Sequence, residues 1–285
     1  MADMQGKTVV ITGATSGIGE VAAIRLAEQG ARIVHVARDP ARAAATQNQL
    51  RRANPGVIHA MHIADLSLLS EMKRVSQEIA TSEPKIDVLI PNAGAMFNRR
   101  TVTADGLEKT FALNHMGYFI PTLALLPNMV EGGRIVVTAS NAHRGAVLDF
   151  GDLQSAHGYS GFSVYSRSKL MNILFTRALA RRLEGGSGAR GITANALHPG
   201  FVATRFGDES GGLMQPLLKV VKPLGAIKPE EGAQTIIWLA SSPEVVSVNG
   251  GYFYECKPRT PTVHALNDTD GEKLWAVSEE IVARV

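Results

Sequence analysis

Residues 8–19 read T-V-V-I-T-G-A-T-S-G-I-G, and this stretch decides the fold. The run Thr8–Thr12 is short and β-branched, the composition of a strand buried on both faces. Gly13, Gly17 and Gly19 punctuate the chain next, ahead of a helical pattern over 18–29, and Gly30 stops that pattern where a left-handed residue is favoured. Strand, glycine turn and helix in that order present backbone N–H groups at a helix N-terminus, where the macrodipole favours negative charge. The spacing is Gly-x3-Gly-x-Gly rather than the commoner G-x-G-x-x-G, so the setting between strand and helix makes it a pyrophosphate cradle instead of a plain turn.

Outward from this unit the alternation continues. Apolar strands are predicted at 31–37, 57–63, 86–90, 133–139, 191–196 and 250–254, with helices after Pro40 and at 68–81, 107–130, 164–183 and 229–239. Seven strands alternating with helices imply right-handed crossovers and an α/β fold, a Rossmann-type doubly wound parallel sheet in one domain spanning 1–285. Two stretches break the rhythm as substrate-loop insertions, near 141–163 and 205–228, and 256–285 forms a C-terminal extension. The second insertion holds the apolar cluster Leu213, Met214, Leu217, Leu218, Val220, Val221 and Leu224. Both leave the carboxyl ends of strands, where open α/β sheets bind ligands.

With 45% apolar and 19% charged residues, the chain of 285 has ample material for a two-faced sheet core. The net charge is +3, but the pairs Arg51-Arg52, Arg99-Arg100 and Arg181-Arg182 are scattered, which argues against a nucleic-acid partner. Cys256 is the only cysteine, so no internal disulfide and no multi-thiolate metal site can form. The chain enters an apolar strand almost at its start and has no uncharged run of spanning length, so no membrane anchor and a cytoplasmic location are expected.

Within the glycine turn the ligand-contacting candidates are Gly13, Thr15, Ser16, Gly17, Ile18 and Gly19. The second strand ends His35-Val36-Ala37-Arg38 with no carboxylate before Asp39. An acid there would take the ribose hydroxyls of NAD, whereas an arginine accommodates a 2′-phosphate; NADP(H) is therefore expected over NAD(H), with Arg38 or Arg42 as the donor. Asp65-Leu66 follows the third strand and can meet the adenine, and Asn92-Ala93-Gly94 follows the fourth, where a small turn lets a ribose lie against backbone. Tyr165 and Lys169 stand four apart on a helix and share a face. A phenol of ordinary pKa about 10 is a poor acid–base group at neutral pH. A neighbouring ammonium and an oxidised nicotinamide would lower that value. Ser140, at the end of the fifth strand, could donate to a substrate carbonyl oxygen.

In this order and context the chain resembles the short-chain dehydrogenase/reductase family over nearly its whole length. The matching positions are Thr12-Gly13 with Gly17 and Gly19, Asp65, Asn92-Ala93-Gly94, Asn114, Ser140, Tyr165 with Lys169, and Pro199-Gly200 with Val202 and Thr204. A finer likeness points to the retinol-dehydrogenase-like branch, which includes protochlorophyllide reductases. It is carried by 106–115, Tyr-Ser-Arg-Ser-Lys-Leu-Met-Asn172, His198-Pro-Gly-Phe-Val-Ala-Thr204 and Lys273-Leu274-Trp275. The resemblance implies that Tyr165 donates the proton in reduction, Lys169 lowers its pKa and binds the nicotinamide ribose, and Ser140 polarises the carbonyl. Asn114 would hold a helix kink and a water, while Pro199, Gly200, Val202 and Thr204 would sit by the nicotinamide. It also implies a homo-oligomer, dimer or tetramer, through the helices 164–183 and 107–130.

The expected function is NADP(H)-dependent hydride transfer to or from a carbonyl or secondary alcohol. Met96, Phe97, Phe150 and Phe206 suggest a hydrophobic substrate. Two alternatives remain open to the same residues: a non-catalytic NADP(H) sensor or scaffold on the same fold, and light-driven pigment reduction, which the lone Cys256 disfavours. His115, His143 and His198 read as turn or packing residues, because Tyr165 already fills the acid–base role.

Overall fold

The first half follows the expected rhythm: β1 (Thr8–Thr12), α1 (Gly17–Glu28), β2 (Arg32–Ala37), α2 (Pro40–Ala53), β3 (Ala60–Ile63), α3 (Leu69–Ser82) and β4 (Ile86–Ile90). Local chemistry sets these boundaries. Asp39 caps α2 by accepting from Ala41 N and Arg42 N at 2.9 and 3.1 Å, and Pro40 supplies the fixed φ of a first helical residue. The computed structural model describes residues 3–185, 191–201 and 227–284.

The single helix expected over 107–130 is instead α4 (Lys109–Phe111), a π-helical turn (Ala112–Met116) and α5 (Gly117–Leu125). Asn114 lies inside that turn, and its side chain bonds the Ala95 backbone in both directions at 2.9 Å. This long-range attachment accounts for the break. β5 (Met129–Thr138) therefore begins earlier than predicted, and its register shifts against β4 near Gly132, whose φ is 70°. Then come α6 (Gly161–Gly185), β6 (Thr193–Leu197), α7 (Pro229–Ser241), β7 (Tyr252–Tyr254), β8 (Lys257–Pro258) and α8 (Asp268–Ala283).

The strand order is β3-β2-β1-β4-β5-β6-β7-β8. Seven strands run parallel as expected, and the structure adds the two-residue β8, antiparallel to β7. One apolar core lies between the sheet and α1, α2 and α7; the other lies beneath α3, α5, α6 and α8. Strand order reverses between β1 and β4, the place where doubly wound sheets open a ligand crevice at their carboxyl ends.

The C-terminal extension is no loose tail. Trp275 of α8 packs on Phe119 and Phe175 at 5.0 and 5.8 Å, with the Arg182 guanidinium 3.9 Å over its ring. Arg177, Arg181 and Arg182 of α6 meet Asp268 and Glu272. Of the two helices through which the resemblance implied a subunit contact, α6 thus has α8 packed along it within the same chain. No helix among the described residues is long and apolar enough to cross a membrane.

Candidate active site

The carboxyl ends of β1, β2, β4, β5 and β6 open into a cleft of about 1140 Å³. Its first wall is the glycine turn. Gly13 and Gly17 adopt φ of 70° and 58°, backbone that an L side chain rarely takes. Gly19 has a different reason to lack a side chain: a Cβ there would come within 2.4 Å of both Asn92 Nδ2 and Gly13 O. Asn92 is the strut behind this packing. Its Nδ2 donates to Thr12 O and Gly13 O at 3.1 and 3.2 Å, and its Oδ1 accepts from Thr138 Oγ1 at 3.2 Å. One side chain so joins the tops of β1, β4 and β5. The backbone at Thr15, Ser16, Gly17 and Ile18 is left lining the cleft at the mouth of α1.

Ala37, Arg38, Asp39 and Arg42 form the next part of the rim. The Asp39 carboxylate caps α2 through Oδ1. Arg42 Nη2 donates to Thr15 O at 3.0 Å, bringing a second cation to the same corner. Asp65 and Leu66 line the adjoining wall, with Asp65 Oδ1 accepting from Ser67 N and Ser67 Oγ at 2.9 and 2.8 Å. Cleft size, glycine cradle and helix N-terminus fit an extended dinucleotide.

Deeper in, Ser140, Tyr165 and Lys169 meet. Ser140 Oγ accepts from Ala142 N at 3.2 Å and is hydrogen-bonded to the Tyr165 hydroxyl. Lys169 Nζ donates to Thr138 O at 3.0 Å and lies 5.7 Å from the Tyr165 ring centre. Asn114 completes the floor, donating also to Ser168 Oγ at 3.0 Å. Gly94 makes room for this group, since a Cβ there would sit 3.2 Å from Asn114 Oδ1 and 3.4 Å from Lys169 Nζ.

Burial dominates the electrostatics of this group within the chain. Burial pushes the Tyr165 phenol up to about 12, offset only in part by its bond to Ser140. Burial likewise brings the Lys169 ammonium down to about 7. The ammonium is turned toward the Thr138 carbonyl, so by itself it does not depress the phenol. That depression needs further positive charge in the cleft.

Pro199 and Gly200 reach the cleft, and Gly200 has φ of 85°. Val202, Thr204, Phe206 and the apolar cluster of the second insertion lie outside the described residues. The ends of that stretch meet where Ile227 N donates to Phe201 O at 2.8 Å. Of the hydrophobic candidates, Met96 lines the cleft, whereas Phe97 packs under Lys109 at 4.8 Å and Phe150 faces Lys273 at 5.7 Å. Phe162 and Phe201 line it in their stead, 57% and 52% exposed. Phe162 could have been found: it sits one helical turn before Tyr165.

The first insertion is tied down. Gln154 Oε1 accepts from Glu108 N at 2.7 Å, and Tyr159 Oη donates to Phe97 O at 2.9 Å. Of the three histidines set aside in the sequence, His198 lines the cleft. His115 pairs with Ser278, His198 stacks on Tyr254 at 4.2 Å, and His143 Nδ1 meets Ser140 O at 2.7 Å, so only His143 touches the site serine.

The family profile described as short chain dehydrogenase matches residues 7–211. The chain is 42% identical to human retinol dehydrogenase 14 over 98% of its own length and 87% of that protein's. It superposes on the crystal structure of a Mycobacterium Paratuberculosis protein with TM-score 0.80 at 29% identity, covering 99% of this chain and 96% of that one. A short chain dehydrogenase from Burkholderia cenocepacia J2315, crystallised in complex with NADP, gives TM-score 0.68 at 27% identity over 88% and 96%. With this breadth of agreement, the chain belongs to the short-chain dehydrogenase/reductase family, as an oxidoreductase of alcohols and carbonyls on its retinol-dehydrogenase-like side.

Proposed function

We propose that this protein moves a hydride between NADP(H) and the carbonyl or secondary alcohol of a mostly apolar substrate. The hydrogen bond between Tyr165 and Ser140 on the cleft floor, with Lys169 one turn along α6, carries this reading. The nicotinamide, when bound, supplies or accepts the hydride. Ser140 holds the substrate oxygen, and Tyr165 gives that oxygen a proton in reduction and takes it back in oxidation. Lys169 holds the nicotinamide ribose and favours the phenolate. Asn114 fixes the π-helical turn that seats the floor. Gly13 through Gly19, Arg38, Asp65, Leu66 and Asn92 through Gly94 bind the cofactor, with Pro199, Gly200, Val202 and Thr204 at its nicotinamide end.

Following NADPH consumption across ketones of graded size and polarity tests the reaction and the pocket together. Turnover rising with apolar bulk is expected, and a preference for small charged ketones would sink the apolar part. Cofactor choice has a separate test. Arg38→Ala should weaken NADP binding by roughly 10- to 100-fold, the worth of a charge-assisted hydrogen bond, and NAD binding hardly at all. Equal losses for both cofactors would remove Arg38 from the 2′-phosphate.

The same reading places the protein in the cytosol. Recovery of the tagged chain with membranes on fractionation would overturn that placement. A homo-oligomer, dimer or tetramer, is part of this reading, and light scattering on the purified chain against its 30.4 kDa mass tests it.

A further inference from the structure

β5 ends at Thr138, Ala139 N still reaches Leu197 O at 2.7 Å, and Ser140 stands one residue beyond. From there the serine is held by the turn it starts, Asn141–Gly145. Ala142 N donates to Ser140 Oγ at 3.2 Å, and His143 takes hold of the serine's carbonyl. The backbone N of His143 lies 3.2 Å from Ser140 O, and its ring Nδ1 lies 2.7 Å from the same oxygen. Two donors fill the two lone pairs of that carbonyl.

Both sides of the ring demand the same tautomer. A carbonyl only accepts, so Nδ1 carries the hydrogen. Nε2 is then an acceptor, and Thr262 N, which can only donate, lies 3.4 Å from it. Burial keeps the ring neutral, since His143 is fully buried and desolvation lowers its pKa. The Tyr252 ring stands edge-on to it with centres 5.2 Å apart. Its hydroxyl, 3.4 Å from the protonated Nδ1, can only accept there. Next along the turn, Arg144 Nη2 donates to Thr260 O at 3.2 Å, so two successive residues bind the serine's turn to the C-terminal extension.

A packing histidine needs neither ring bond, whereas a serine that must meet a substrate oxygen needs its backbone fixed. The geometry points to His143 as a positioning residue for Ser140: its ring clamps the serine's carbonyl and braces that clamp on the extension through Thr262. The inference rests on the hydride-transfer reading of Ser140.

His143→Leu fills the space and removes both ring bonds. It should lower kcat/KM for ketone reduction by about 10- to 100-fold, the scale of a misplaced reacting group. The NADPH Kd should stay within about threefold of wild type. His143→Asn sets an amide nitrogen as many bonds from the backbone as Nδ1, and His143→Gln sets it one bond further. The asparagine variant should therefore turn over about tenfold faster than the glutamine variant, although both melt below wild type. In a Ser140→Ala background, His143→Leu should cost less than about threefold more, whereas a merely structural role would carry the full loss into that background. One readout needs no cofactor: nitrogen-15 imidazole spectra of the unloaded chain should show His143 as the Nδ1–H tautomer.

An Nε2–H tautomer, equal rates for the asparagine and glutamine variants, or unimpaired His143→Leu beside a crippled Ser140→Ala would overturn the proposal and leave the hydride reading standing. If His143→Leu does not fold, the other two measurements decide. Wild-type turnover in Ser140→Ala would overturn both.

Discussion

Tyr165→Phe is expected to lower kcat/KM for carbonyl reduction by roughly 100- to 10,000-fold, the range for loss of a positioned general acid. The ring is 8% exposed and packed, and phenylalanine fills the same volume, so fold and cleft should survive. What disappears is the hydroxyl bonded to Ser140. The NADPH Kd should accordingly stay within roughly threefold of wild type, placing the loss in the chemical step and not in cofactor binding. Lys169→Met should lose in both quantities, because the ammonium is assigned to the ribose as well as to the phenol. Steady-state kinetics and a binding titration on the two variants decide the matter. A Tyr165→Phe enzyme with unimpaired turnover would end the assignment.

How much of this site can be read in the sequence depends on whether the interaction is local. The strand, glycine turn and helix over 8–29 form one continuous unit, and its boundaries come out nearly as predicted. The four-residue spacing of Tyr165 and Lys169 guarantees a shared face wherever a helix forms. Ser140 follows a recognisable strand. The break in the 107–130 helix was legible only through the resemblance, which gives Asn114 a helix kink; periodicity misses it, because its cause is the side chain of Asn114 bonding a backbone 19 residues away. The role of Gly19 was legible only as a glycine. That it yields space to Asn92 requires the sheet to be assembled first. Phe150 and Phe162 look alike in sequence, yet only Phe162 lines the cleft. The Ser140 carbonyl is silent in any sequence, since every residue carries one, and the His143 ring closes on it only in the fold. The balance of forces on the phenol within the chain is hidden for a related reason. Spacing places an ammonium nearby but does not say where it points, and here burial outweighs it.

The histidines, set aside as packing residues, carry the second large expectation: stability should fall by about 4 kcal/mol between pH 7.5 and pH 5, mainly from His115 and His198. His115 is 1% exposed, and its Nε2 lies 2.8 Å from Ser278 Oγ. That hydroxyl donates its own hydrogen to Leu274 O at 2.7 Å, so the imidazole must be the donor and Nδ1 carries the bare lone pair. Nδ1 is buried without a partner, and the ring sits among Phe111, Phe119 and Phe175. A proton there would place charge against hydrocarbon, so burial lowers His115 from 6.5 to about 3. His198, stacked between Tyr252 and Tyr254, is lowered to about 4, again first by burial. Both folded values lie below the unfolded one. The unfolded chain therefore binds more protons as pH drops through 6.5, and stability present above 6.5 is lost toward 4 for His198 and 3 for His115. At pH 5 each ring has lost about one and a half pH units at roughly 1.4 kcal/mol per unit, or about 2 kcal/mol. His35, His59 and His143, also lowered by burial, add in the same direction. Urea midpoints at pH 7.5, 6 and 5 measure the slope. In His115→Leu the drop between the extremes should shrink by about 2 kcal/mol, one buried imidazole's share. A wild-type midpoint that does not move over this range would mean that these rings are open to water in the folded chain.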